Sequence, residues 1–222
     1  LAESALRHVR LMEDRGFNNI KISLKSSSAL ETIRAYRKMA SSREYPLHLG
    51  VTEAGTPARG AVKSAVGLGV LLHEGIGDTI RVSLTSDPEE EISVAYEILR
   101  ALELRERGPE IISCPTCGRT EINLRRLASE VEKAVEGWEE PIKIAVMGCV
   151  VNGPGEAREA DIGIAGGRGK GVIFRKGKIA ASVEGEDALL ATFINELYKS
   201  RDEFASASAN RDDADLPPDQ ER

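Results

Sequence analysis

The alternation of helix-spaced and strand-like apolar runs over residues 1–105 restricts the folds open to this chain more than any other feature. Leu1, Ala5, Leu6, Val9 and Met12 fall at helical spacing and stop at Gly16, as a helix with a glycine cap would. Residues 17–24 read as a strand, and Ser28 then caps a helix carrying Leu30, Ile33, Tyr36 and Met39. Residues 45–51 form the next strand, Thr56-Pro57 opens a helix with Val62, Ala65, Val66 and Val70, and residues 79–84 form a third strand. Asp87-Pro88-Glu89 opens a last helix predicted to reach about Arg105. This αβαβαβα order predicts a parallel sheet with helices outside it. Three strands can neither bury both faces of a parallel sheet nor close a barrel. The expected fold class is therefore α/β, with residues 1–107 as the last three βα units of a TIM-type (β/α)8 barrel whose first five units are absent from the sequence.

In such barrels chemistry gathers at the C-terminal ends of the strands. Those ends read Ile22-Ser23-Leu24-Lys25-Ser26-Ser27, Leu49-Gly50-Val51-Thr52-Glu53-Ala54-Gly55 and Arg81-Val82-Ser83-Leu84-Thr85. One charged residue after a strand is ordinarily a solvated loop residue. Lys25, Glu53 and Arg81 recur at equivalent places, however, and two cations with a carboxylate at one mouth suit an anionic substrate.

Gly108-Pro109 marks the predicted boundary of a second, small α+β domain over residues 108–204. Residues 110–114 read as strand, 123–135 as helix, 142–147 as strand and 161–165 as a short strand. The run Gly166-Gly167-Arg168-Gly169-Lys170-Gly171 lacks the Ser/Thr and helix of a nucleotide loop and is expected to be a flexible hairpin turn. Residues 172–174 and 178–183, joined at Lys176-Gly177, read as a β-hairpin, and residues 187–198 as the last helix. Trp138 and the Glu-rich stretch around it are expected to be ordinary helix-end surface. From about Ala205 the Ser/Ala/Asp/Pro composition predicts a disordered acidic tail over residues 205–222.

Charge excludes some partners. The net charge is -6, but residues 202–222 hold seven acids against Arg211 and Arg222, so the remainder is nearly neutral and offers no nucleic-acid surface. No apolar run approaches the roughly 20 residues needed to cross a bilayer, and no basic-then-apolar leader is present. A cytoplasmic protein that avoids membranes is expected, or a plastidic one whose leader has been lost. An odd number of cysteines that includes a C-x-x-C pair argues against a disulfide scaffold and for a reducing compartment.

All three cysteines lie within residues 114–149, in Cys114-Pro115-Thr116-Cys117-Gly118 and in Met147-Gly148-Cys149-Val150-Val151-Asn152-Gly153-Pro154-Gly155-Glu156. Each segment follows an apolar run, so the thiols sit at strand ends and can converge. A structural zinc site would want a fourth cysteine or a histidine, and His8, His48 and His73 all lie far upstream. An iron–sulfur cluster is held chiefly by thiolates. The Asn-Gly-Pro-Gly turn folds back toward Cys149, which makes Glu156 the best local candidate for a fourth, displaceable ligand. The residues thus point to a 4Fe-4S cluster on Cys114, Cys117, Cys149 and Glu156. A redox dithiol, a zinc knuckle and a buried core Cys149 remain the plainer readings.

The string CPTCGRT, followed after one helix and one strand by MGCVVNGPGE, resembles the C-terminal signature of the 4-hydroxy-3-methylbut-2-enyl diphosphate synthase (GcpE) family, the iron–sulfur enzymes of the methylerythritol phosphate route to isoprenoids. The resemblance implies an N-terminal barrel followed by a cluster domain, with this sequence covering about the C-terminal half. It implies that Lys25, Arg81 and Ser83 hold the substrate diphosphate, that Glu53 is the acid/base residue and that Asn152 lies at the site. The implied reaction converts 2-C-methyl-D-erythritol 2,4-cyclodiphosphate to 4-hydroxy-3-methylbut-2-enyl diphosphate by reductive ring opening and loss of water. Electrons would come from ferredoxin or flavodoxin, and the cluster domain of one subunit would cover the barrel of the other in a homodimer. Without the earlier barrel units the 222 residues are expected to be inactive alone. The competing function is a non-catalytic metal-binding or electron-carrier module, which leaves Lys25, Glu53 and Arg81 without a role.

Overall fold

The computed structural model describes residues 1–149 and 159–212, with side chains as far as residue 206. It divides into two compact units, Leu1–Glu106 and Arg107–Arg222.

In the first unit the elements run α1 (Ala2–Glu13), α2 (Ala29–Ala40), β1 (His48–Leu49), α3 (Pro57–His73), β2 (Thr79–Ile80) and α4 (Pro88–Ala101). The helices begin where local chemistry predicts. The Ser28 hydroxyl accepts from the Glu31 N–H at 3.3 Å, and Pro57 and Pro88 occupy first-turn positions where their missing N–H costs nothing. Helix α4 stops at Ala101, short of the predicted Arg105, and Glu103 reverses the chain at φ 56°.

The strands are parallel but shorter than the sequence suggests. Strand β1 pairs with β2 at His48↔Thr79 and Leu49↔Ile80, and the strand predicted over residues 17–24 is reduced to a single parallel bridge, Ile22↔Leu47. Two substitutions in the ladder explain this. Pro46 has no N–H to give, and the Leu47 N–H is taken by the Asp78 carboxylate at 2.7 Å. Extended chain continues on either side all the same, with Arg81 N–H donating to Leu49 O at 2.9 Å and Thr52 N–H to Ser26 O at 2.8 Å.

Alternate strand residues Ile22, Leu24, Leu47, Leu49 and Val82 are buried against Ile33, Tyr36, Met39, Leu68, Leu71 and Ile98 of the helices. The fully buried Tyr36 hydroxyl accepts from Leu24 N–H at 2.8 Å and donates to His48 O at 2.5 Å, so one side chain ties two strands together. The other strand face is polar: Lys21, Ser23, Lys25, His48, Thr52, Arg81 and Ser83 occupy the intervening positions.

The second unit is a five-stranded sheet in the order β3-β4-β5-β6-β7, built from β3 (Glu110–Ser113), β4 (Lys143–Met147), β5 (Ile162–Gly167), β6 (Lys170–Arg175) and β7 (Lys178–Glu184). The first three strands are parallel and the last two pairings antiparallel. Helices α5 (Leu124–Ala134) and α6 (Glu186–Asp212) cover one face. Their Leu127, Val131, Leu189, Phe193 and Leu197 pack on Ile144, Val146, Ile162, Ile164 and Ile173. The opposite face holds a second cluster of Ala145, Met147, Ala160, Ala165 and Phe174. Strand β4 is therefore buried on both faces, as its uninterrupted apolar run requires.

Three sequence readings change here. The glycine run is largely strand: Gly166, Gly167, Lys170 and Gly171 are in the ladder, leaving Arg168-Gly169 as the turn. Its glycines are there for room, since a Cβ on Gly166 would collide with Ile122 and one on Gly171 with Leu189. Trp138 is core, 8% exposed, with its ring 5.4 Å from that of Tyr198 and the Arg201 guanidinium 5.0 Å from its centroid. Finally, α6 continues through Ala205 to Asp212. Phe204 packs against the core cluster, and the Ser206 hydroxyl back-bonds to Asp202 O at 2.7 Å, so residues 205–212 are helical where composition predicts disorder; the rest of the predicted tail, residues 213–222, lies outside the described residues.

Candidate functional site

In the first unit the polar strand face concentrates positive charge. The Arg81 guanidinium reaches Ser83 Oγ at 3.0 Å and Thr52 Oγ1 at 3.4 Å. It passes Gly50, the residue after β1, where a Cβ would lie 2.9 Å from Arg81 Nη2 and from Arg81 O, so glycine is what lets Arg81 approach. Burial first, and then the Arg81 charge, lower the Lys25 ammonium below its ordinary value. His48 is lowered too, by burial and then by Arg81, Lys21 and Lys25. Its Nδ1 lies 2.8 Å from Thr79 Oγ1. Among the described residues neither Lys25 nor Arg81 has a carboxylate in salt-bridge range. Arg81 and Lys25 therefore place two cations on one strand face, with hydroxyls as the side-chain partners of the Arg81 guanidinium.

Of the predicted residues, Lys25, Arg81 and Ser83 thus share one face. Glu53 follows Thr52 in an exposed turn at φ 53°, a left-handed conformation that is uncommon for a residue with a Cβ. His48 lies just before the strand end read from the sequence, and Gly50 and Thr52 lie within it without having been singled out. The period-2 alternation Leu47-His48-Leu49-Gly50-Val51-Thr52 was the signal that places them with Arg81.

In the second unit Ser113 of β3 is in register with Val146 of β4, so Cys114 and Cys149 leave adjacent parallel strands at the same end. The Gly148 N–H donates to Cys114 Sγ at 3.2 Å. The loop between β3 and α5 is fastened to that end: Glu121 N–H donates to Gly148 O at 3.0 Å, the Glu121 carboxylate accepts from Arg168 N–H at 2.9 Å, and Ile122 lies over Gly166. Asn123 closes the loop by capping α5, its Oδ1 accepting from Arg126 N–H at 3.2 Å.

Cys114 and Cys149 are half-buried, Cys117 is exposed, and all three are free thiols. The Arg119 main-chain N–H foremost, with a smaller contribution from the Arg119 side chain, lowers the Cys117 thiol toward the thiolate a metal requires. Among the described residues no three Cys, His, Asp or Glu side chains stand together tightly enough to hold a metal. Cys114 Sγ accepts from the Gly148 N–H, and Cys117 interacts with Arg119 of its own loop. Asn152 and Glu156 lie outside the described residues.

Profiles of two protein-family domains match this chain: the GcpE TIM-barrel domain over residues 1–96 and the GcpE protein C-terminal domain over residues 110–199. The chain belongs to the GcpE family. The junction between the two GcpE domains, residues 97–109, contains the point where the two compact units divide. Among curated relatives, the 4-hydroxy-3-methylbut-2-en-1-yl diphosphate synthase (flavodoxin) of Nitratidesulfovibrio vulgaris is 66% identical over 197 residues, covering 89% of this chain and 51% of that protein. The protein of the same name from Lawsonia intracellularis is 64% identical over 199 residues, covering 90% and 55%. That from Desulfotalea psychrophila is 59% identical over 210 residues, covering 95% and 57%. The chain spans about half the length of these GcpE relatives. Among the described residues no helix is long and apolar enough to cross a membrane.

Proposed function

We propose that this chain supplies the C-terminal barrel units and the 4Fe-4S domain of a 4-hydroxy-3-methylbut-2-enyl diphosphate synthase, which reduces 2-C-methyl-D-erythritol 2,4-cyclodiphosphate in isoprenoid biosynthesis. The observation that carries the reading is that Cys114 and Cys149 leave two neighbouring parallel strands at one end, with the C-x-x-C loop pinned to that end through Glu121. The donor set fits an iron–sulfur group: three reduced thiols, one of them already biased toward thiolate, beside a buried Thr120 oxygen that has no hydrogen-bond partner among the described residues. Cys114, Cys117 and Cys149 would hold the cluster with Glu156 as the fourth ligand. When bound, the cluster supplies single electrons and a Lewis-acidic iron.

The rest of the chemistry belongs to the chain's own side chains. Lys25 and Arg81 neutralise the diphosphate, with Ser83 and Thr52 orienting the guanidinium, and burial together with the nearby cations keeps the His48 ring uncharged near neutral pH. Glu53, held in its turn beside Thr52, moves the proton that accompanies loss of water. Asn152 hydrogen-bonds the reacting hydroxyl. The names of the relatives support flavodoxin as electron donor, ahead of ferredoxin. A homodimer in the cytoplasm, one subunit's cluster domain serving the other's barrel, completes the proposal.

The test is anaerobic reconstitution with iron and sulfide, read by absorption and electron paramagnetic resonance. A brown protein with a reducible cluster, lost in Cys114→Ser, Cys117→Ser and Cys149→Ser variants, is the expected result. A colourless chain that keeps one zinc ion would overturn the assignment.

A further inference from the structure

Thr120 is not among the residues that would ligate the cluster or touch substrate, yet the structure gives it an unusual environment. Among the described residues only two side-chain oxygens are buried without a hydrogen-bond partner, Ser64 Oγ and Thr120 Oγ1. Native interiors rarely leave a hydroxyl in that state, and an orphaned one calls for an absent partner. Thr120 stands where the two cysteine-bearing segments meet. Its N–H donates to Cys117 O at 3.0 Å. A Cβ placed on Gly148 would lie 2.9 Å from Thr120 Cγ2 and 3.1 Å from Oγ1, so glycine at 148 is what lets the threonine side chain lie against the end of β4. The main-chain donors around it are already committed, Gly148 N–H to Cys114 Sγ at 3.2 Å and Glu121 N–H to Gly148 O at 3.0 Å. The threonine hydroxyl is the free donor between them.

We propose that Thr120 is a positioning residue for the metal centre, donating its hydroxyl hydrogen to the Cys117 sulfur when that sulfur is bound to iron. The inference rests on the cluster reading above and adds a group that tunes it. A hydrogen bond to a ligating thiolate stabilises the more negatively charged, reduced state, so it raises the reduction potential and slows loss of iron. In the metal-free chain the same hydroxyl is a liability, buried and unpaired.

The two states therefore respond to Thr120→Val in opposite directions, which a purely structural role would not produce. In the metal-free 222-residue chain, Thr120→Val is expected to raise the melting temperature, because an orphaned hydroxyl gives way to a methyl of the same shape. In the reconstituted chain the same variant is expected to shift the potential to more negative values and to release iron to a chelator about tenfold faster. Thr120→Ser, which keeps the hydroxyl, is expected to restore both readouts. If Thr120→Val lowers the melting temperature of the metal-free chain, or leaves potential and iron release unchanged, the proposal is wrong while the cluster reading stands. If the unmodified chain takes up no cluster at all, both fail.

Discussion

The two units use their strands in opposite ways. In residues 1–106 one strand face is packed under helices and the intervening positions carry Lys25, His48, Thr52, Arg81 and Ser83. In the second unit β4 is buried on both faces by apolar side chains, so there is no room for polar groups along the strand, and the cysteines are displaced to strand ends and a loop. A half-covered sheet can present an anion site along its length. A doubly covered sheet can present chemistry only where it stops.

The largest effect should come from the doubly covered sheet. Phe193 is fully buried against β4 and β5, and Phe193→Ala is expected to cost about 3–5 kcal/mol in chemical denaturation. Lys21→Ala, on the polar face of the first unit, should change stability by less than about 0.5 kcal/mol. Equal costs would show that the polar face is packed in solution and would remove the contrast. Next in size is Gly166→Ala, whose Cβ must push Ile122 and the cysteine loop off β5. A loss of about 1–3 kcal/mol is expected, together with faster proteolysis within residues 115–123. A loop that stays protected would mean that Ile122 does not hold it.

How far each region could be read from sequence follows the same division. Periodicity revealed the helices of both units because apolar spacing and caps such as Ser28, Pro57 and Pro88 act locally. Strand extent in the first unit was overestimated, since neither the missing Pro46 N–H nor the capture of Leu47 N–H by Asp78 shows up in a hydropathy pattern. Trp138 was misplaced on the surface because its partners, Tyr198 and Arg201, lie some sixty residues away in sequence. The glycine run was misread as a turn because glycine marks both flexibility and close approach, and only the packing of Ile122 and Leu189 tells them apart. In the proposed site, Lys25, Arg81 and the cysteines can be singled out from their residue types and spacing. His48, Thr52 and Thr120 cannot, because each matters through a neighbour rather than through a motif.

A smaller effect sharpens the reading of Glu53. Its left-handed backbone costs roughly 1 kcal/mol that glycine would not pay. Glu53→Gly is therefore expected to stabilise the chain by about that amount in thermal unfolding, while Glu53→Gln should leave stability nearly unchanged. A destabilised Glu53→Gly variant would mean that the carboxylate has a structural partner, and its place as a free acid/base group would be lost.

The smallest effect tests the cationic face directly. Burial, Arg81, Lys21 and Lys25 all hold His48 below its ordinary value. A basic group depressed in this way is harder to protonate in the folded state than in the unfolded one. Its stabilising contribution is present above about pH 6.5 and is lost as pH falls through the folded-state value. Arg81→Ala should raise the His48 pKa in an NMR titration, and so should inorganic pyrophosphate, because each reduces the positive field around the ring. If pyrophosphate leaves His48 where it was, the anion does not bind this face and Lys25 and Arg81 are only two solvated cations. If Arg81→Ala alone fails to move it, the depression comes from burial, and the clustering of charge on this strand face has been overstated.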